Sequence, residues 1–232
     1  DAFRGTRAHN TVVVDGTDQS VARDRMSWER TAAATLHRWE SNDPFDLVDG
    51  SHDGYSRLPD PVTHRRVVAW LKPDVWVIWD NIAAGGPHRV DRLFHVRPDC
   101  QVEIAGDSEV VLTAPGDRRL WLRLADQGAA LAVVRGSDDE RSAWFSPGYG
   151  RREASRAIVA SSESRGGANL LTVLSRTVLA DCQATVDGTV LRVRVAPSSE
   201  GEHVREFTYD RATGRASVVE HRPAEEPATA QS

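Results

Sequence analysis

Two stretches hold the residues whose types and spacing could do chemistry. The first is His9-Asn10-Thr11, inside RGTRAHNTVVVDG (4–16), where a histidine stands at the entry to a short run of valines. A side chain at a strand end can point into a cleft, and an imidazole there serves as a metal ligand, a proton carrier or a capped surface ring. The second is GSHDGYSRLPDPVTHRR (50–66), which packs His52, Asp53, Tyr55, Asp60, His64 and Arg66 into one loop and the strand after it. His52 beside Asp53 suggests metal binding, and Tyr55 could act as a general acid or base with a neighbouring arginine to assist. The same letters have a plainer reading. Asp53-Gly54 makes a turn, Tyr55 packs its ring at the sheet edge, and His64 and Arg66 line one face of a strand. A third group, SPGYG (146–150) with His88 and His95, has no metal-ligand spacing and assembles no Ser-His-Asp triad, so it reads as structural.

These residues have to be positioned by β-structure. TVLRVRVAP (189–197) and RRLWLRLAD (118–126) alternate apolar side chains with arginine, the period of a half-buried antiparallel strand. No long segment carries a helical stripe, and the nearest candidate, Arg30 to Trp39, reads equally as a strand. Lys72-Pro73-Asp74, Asp187-Gly188 and Ala212 to Gly214 are hairpin turns. With no βαβ alternation and no fixed repeat, the expected fold is all-β: a large antiparallel two-sheet β-sandwich of supersandwich type over 1–221, followed by a disordered tail over 222–232.

Composition narrows the function classes. At 232 residues and 40% hydrophobic content, one large domain suffices to bury a core. The 29 basic residues are all arginine except Lys72, yet the net charge is -5, so the chain lacks the positive excess of a nucleic-acid-binding face. The longest apolar runs are strand-sized, which predicts no transmembrane segment. Cys100 and Cys182 have no metal spacing; they could pair, but two ordinary thiols fit as well.

RGTRAHNTVVVDGTDQ, followed in order by HDGY, VTHRRVVAW, the DNI step, LFHVRPD and SPGYG, resembles the C-terminal β-sandwich of the heparinase II/III-like polysaccharide lyases, from Phe3 to about Glu220. The resemblance implies an enzyme, a carbon-oxygen lyase that opens a uronic-acid-containing polysaccharide, glycosaminoglycan or alginate, by β-elimination. A base removes the C5 proton, an acid protonates the departing O4, and the uronate carboxylate is neutralised. It also implies an N-terminal α-helical toroid as partner domain and a zinc for which His9 supplies one ligand, with Asn10 supporting it from behind and the other ligands expected upstream of Asp1. His52, Tyr55, His64 and Arg66 match no catalytic position of the family and stand as cleft-lining candidates. No residue of this segment is assigned a catalytic role.

The sequence is therefore expected to be the C-terminal portion of a longer, N-terminally truncated bacterial protein, periplasmic or secreted, with an acidic polysaccharide as its ligand. Alone it is expected to be inactive. The alternative is a non-catalytic carbohydrate-binding or structural β-sandwich, for which the seven tryptophans offer stacking platforms.

Overall fold

The computed structural model describes residues 3–126, 128–137, 142–198 and 203–221, so the tail expected over 222–232 lies outside the described residues. A single 3-10 turn, Thr6–Ala8, precedes the strands. In chain order these are β1 (Val12–Val14), β2 (Val21–Ala22), β3 (Trp28–Arg30), β4 (Ala34–Ser41), β5 (Phe45–His52), β6 (Thr63–Leu71), β7 (Val75–Ala83), β8 (Pro87–Val96), β9 (Gln101–Ile104) and β10 (Glu109–Ala114). They continue with β11 (Arg118–Leu124), β12 (Ala130–Arg135), β13 (Trp144–Phe145), β14 (Glu153–Ala154), β15 (Arg156–Arg165), β16 (Ala168–Ser175), β17 (Leu179–Asp187), β18 (Val190–Pro197), β19 (Val204–Asp210) and β20 (Arg215–His221). Among the described residues the strand pairings are antiparallel, and the segment 30–39, open between helix and strand in the sequence, ends in strand β4.

The all-β antiparallel sandwich is present, and it has three layers where two sheets were expected. The middle layer is an eight-stranded sheet in the order β4-β5-β6-β7-β16-β11-β10-β9. Strand alternation explains how it is covered twice. On β7, Val75, Val77 and Trp79 pack with Leu191, Val193, Val195, Phe207 and Tyr209 of the C-terminal sheet β17-β18-β19-β20. Ile78 and Ile82, pointing the other way, meet the sheet β1-β8-β15-β12 through Val12, Val90, Phe94 and Ile158. A fully sandwiched strand reads as nearly continuous apolar sequence, which is why VWVIWDNI shows little alternation.

The second cover does not extend over the whole face. On the β4–β6 side the same face carries Leu36 and Trp39, each 65% exposed, and the paired residues Val48 and Val68. Among the described residues no helix is long and apolar enough to cross a membrane. Cys100 and Cys182 are free, half-buried thiols that pack in two different core clusters.

Asp15 and Gly16 both have positive φ, 49° and 66°, as a tight two-residue hairpin loop requires, and the bridge Val14–Thr17 closes it. Asp15 then receives His88: its Oδ2 lies 2.7 Å from Nδ1, while Asp60 Oδ2 lies 2.9 Å from Nε2. Two carboxylates can only accept, so both ring nitrogens carry protons and His88 is an imidazolium clamp between two loops. The hydrogen bond to Asp15, reinforced by that to Asp60 against the opposing effect of burial, holds the ring's pKa above its ordinary 6.5. A raised value in the folded state means that the clamp stabilises fully below about pH 6.5 and loses its effect as pH rises through the folded value. The urea midpoint of His88→Gln should therefore trail wild type by more at about pH 5.5 than at about pH 9. Equal gaps at the two pH values would remove the clamp assignment.

Candidate functional site

The hairpin of β5 and β6 sets His52 directly opposite His64, and the β6–β7 register sets Arg66 opposite Asp80. By strand alternation all four side chains emerge on the incompletely covered face, where they form a continuous array. His52 Nε2 is 3.0 Å from His64 Nδ1, and His64 Nε2 is 2.6 Å from Asp80 Oδ1. Arg66 grips the same carboxylate with both arms, Nε to Oδ1 at 2.6 Å and NH2 to Oδ2 at 3.0 Å.

The proton positions follow from one backbone donor. The Gly54 N–H donates to His52 Nδ1 at 3.1 Å, so that nitrogen is bare and the neutral ring carries its proton on Nε2. Nε2–H then donates to His64 Nδ1, and His64 donates from Nε2 to Asp80. Both rings are neutral, and the single negative charge of Asp80 is matched by Arg66. Burial, and next the positive charge that His64 would share, push His52 from its ordinary 6.5 to about 4. Burial works to raise Asp80, but the Arg66 charge and the His64 hydrogen bond outweigh it and hold the carboxyl far below the usual range. Gly54 is required where it stands, because a Cβ there would come within 2.8 Å of the Gln19 carbonyl.

His52, His64 and Arg66 line a hollow of about 360 Å³ together with Thr11, Leu36, Val48 and Val68. Its floor includes Gly50, which has no side chain to fill it. Tyr55 does not line it, contrary to the sequence reading. It is 0% exposed, its ring meets His52 edge-on at 5.5 Å, and its hydroxyl donates to the Val12 carbonyl at 2.8 Å. Burial raises its pKa above the ordinary 10, and with its ring enclosed and its hydroxyl on the Val12 carbonyl, Tyr55 is a core strut joining the loop to β1. Asp53 Oδ1 accepts from the Ala33 N–H at 2.7 Å, and both ring nitrogens of His52 are engaged, by His64 and the Gly54 N–H, so His52 and Asp53 form no metal pair.

The opening motif docks beside this array. Arg66 NH1 donates to the Asn10 carbonyl at 2.6 Å, and Asn10 Oδ1 accepts from the His95 N–H at 2.7 Å. His95 Nε2 in turn bonds the Arg7 carbonyl at 3.0 Å. Both sides of His9 are thus tethered while His9 itself stays exposed. Gln19, the last letter of HNTVVVDG-x-x-Q, donates from Nε2 to Thr11 Oγ1 and to the Val12 carbonyl, stapling β1 to its loop. Among the described residues no group of three or more His, Cys, Asp or Glu could hold a metal ion. The described residues therefore do not by themselves make the zinc site that the resemblance implies.

Asp80 is the member that the sequence reading missed. Its signal was present, a lone carboxylate inside VWVIWDNI, because a charge in an otherwise apolar central strand demands a buried partner.

Matched against protein families, residues 1–194 fit the family described as heparinase II/III-like, C-terminal. No curated protein matches the chain significantly. Among solved structures, the heparan sulfate lyase HepC from Pedobacter heparinus superposes with a TM-score of 0.64 at 14% identity, covering 94% of this chain and 31% of that one. A structure of heparinase III gives 0.65 at 15% identity, over 95% of this chain and 30% of that one. At such identities the likeness is one of fold, and the chain spans about a third of the length of those structures.

Proposed function

The chain belongs to the heparinase II/III-like C-terminal family, and from that premise we propose that it is the β-sandwich portion of a polysaccharide lyase that opens a uronic-acid-containing chain by β-elimination. What supports the reading is the docking of Asn10, the neighbour of His9, on Arg66 of the His52–His64–Asp80–Arg66 array at the incompletely covered face of the large sheet, a contact between residues 56 positions apart. This is a wall with one exposed imidazole held in place at its rim.

The array itself moves no proton in this state. Each ring nitrogen of His52 and His64 is already engaged, and the array's charges cancel, so neither histidine offers a free lone pair as base or a strongly acidic proton to a leaving oxygen. The base, the acid and the group that neutralises the uronate would come from elsewhere, in keeping with a helical partner domain. Within this reading His9 offers one imidazole to a zinc completed by groups outside the described residues. In an enzyme with that site complete, His9→Ala should lose most of the bound zinc, whereas His52→Ala should keep it because both His52 nitrogens face inward. Metal analysis of the two variants decides, and a reversed result removes the ligand assignment.

A fully satisfied array is also what a non-catalytic carbohydrate-binding sandwich would carry. Product formation separates the two. Incubated with uronate-containing glycans, the isolated chain should yield no unsaturated uronide, while the same chain joined to a helical partner domain of the family should yield it. Unsaturated product from the isolated chain would overturn the division of labour, and none from the joined protein would favour the binding module.

A further inference from the structure

The hairpin of β2 and β3 stands at the same end of the molecule as His52, and its tip is built around Asp24. Asp24 Oδ1 accepts from the N–H groups of Met26 and Ser27, both at 2.8 Å, and Oδ2 accepts from Ser27 Oγ at 2.7 Å. The turn holds this carboxylate by three hydrogen bonds from neutral donors, and neither flanking arginine, Arg23 or Arg25, bonds it. Arg4 clamps the hairpin from below, donating to the Asp24 and Ser27 carbonyls with its guanidinium 4.2 Å over the Trp28 ring. Arg30 donates to Ser56 Oγ at 3.3 Å, and the Ala32 N–H donates to Ser20 Oγ at 2.9 Å, tying the hairpin to the loop that follows His52 and to its own first strand.

The result is a finger whose arginines outnumber its carboxylates. Arg23 and Arg25 are exposed and have no side-chain partner among the described residues, while Met26 at the apex is 92% exposed and Trp28 is 40% exposed. Arg4, Arg23, Arg25 and Arg30 face only Asp24 and Glu29 as opposing charges along the hairpin, in a chain whose net charge is -5. We propose that this finger is a contact site for an acidic glycan, with Arg23 and Arg25 gripping carboxylate or sulfate groups and Met26 and Trp28 meeting the apolar faces of the sugar rings. Guanidinium forks match such planar or tetrahedral anions with two parallel hydrogen bonds, and an aromatic ring favours the C–H face of a sugar. The acidic excess over the rest of the chain disfavours a long duplex polyanion, which needs an extended positive track.

The proposal rests on the lyase reading only for the class of glycan, and binding is measured apart from turnover. The probe is a sulfated uronide hexasaccharide, titrated onto the purified chain at two salt concentrations, with a neutral dextran oligosaccharide and a single-stranded DNA of equal charge as comparisons. Wild type should bind the uronide with an affinity that falls as salt rises, and R23A/R25A should weaken it by about tenfold and flatten the salt dependence. R215A, which removes an exposed arginine from a distant hairpin, should bind as wild type. Melting of R23A/R25A should be unchanged, because neither side chain has a partner to lose. Undiminished binding by R23A/R25A overturns the proposal, and so does DNA bound as tightly as the uronide and released by the same substitutions. A joined protein that makes no unsaturated product, with binding still lost in R23A/R25A, would remove the lyase reading and leave the contact site standing.

Discussion

Replacing Arg92 by alanine lowers the stability of the chain by about 3–5 kcal/mol, which corresponds to roughly 6–20 °C in melting temperature for a domain of this size. Arg92 lies on β8 at 0% exposure, between the second sheet and the large one. Its NH1 and NH2 each reach Asp126 at 2.7 Å, and NH1 also contacts Thr172 Oγ1 at 3.3 Å and the Leu171 carbonyl at 3.4 Å. Truncation leaves a cavity and strips the Asp126 carboxylate, only 13% exposed, of its counter-charge. Asp126 Oδ1 also accepts the Leu171 N–H at 2.8 Å, so the rescue has to preserve an acceptor there. The double variant Arg92→Met, Asp126→Asn meets that condition, removes both charges and refills most of the volume. It should recover the greater part of the loss, because a buried ion pair replaced as a pair is often close to neutral. A single Arg92→Ala variant that melts within about 2 °C of wild type would mean that the two sheets are not joined through this pair.

Asp80→Asn should cost about 2–3 kcal/mol, less than Arg92→Ala because the Arg66 side chain it unpairs is 22% exposed and water takes up part of its charge. Its second consequence is local. Without its bidentate partner, Arg66 no longer presents NH1 to the Asn10 carbonyl, and amide exchange at residues 9–11 should accelerate more than at β8. The pH dependence has a definite sign. His52 titrates at about 4 in the folded state against an ordinary 6.5, so folding favours its neutral ring. Its contribution is fully present above about pH 6.5 and is lost as pH falls toward 4. Asp80, depressed below its ordinary 3.8, contributes above that value and loses its effect only in stronger acid. Urea midpoints at about pH 7.5 and 4.5 should thus converge for His52→Gln relative to wild type. If the acid loss persists unchanged in His52→Gln, the neutral-tautomer array is wrong.

Much of this architecture could be read from local patterns. Alternation in TVLRVRVAP and RRLWLRLAD marks strands because a half-buried sheet repeats every two residues, and Asp187-Gly188 and Asp15-Gly16 mark turns because few other residues tolerate positive φ. The loop 50–66 stood out by its density of titratable groups, and His52, His64 and Arg66 border one hollow. The placing of Tyr55 in a cleft failed for a reason that local sequence cannot show. A tyrosine after Asp-Gly is equally at home in solvent or under a strand, and only β1, brought in from 43 residues away, closes over it.

By itself, then, the sequence determined the all-β class, the hairpins, the family and the stretches where polar chemistry gathers, since each of these is written in near-neighbour spacing or in an ordered motif. The tertiary structure decided what each of those groups can do. Alternation divides a strand's side chains between two faces but does not say which face a second sheet will cover, so the third layer and the incompletely covered half of the large sheet had to await long-range packing. Protonation is likewise a property of partners and not of residues. His88 is cationic between two carboxylates, while His52 and His64 are neutral because one backbone N–H and one buried carboxylate dictate their tautomers. No spacing in the chain carries that distinction, because the donors and acceptors that enforce it come from strands and loops that meet only in the folded protein.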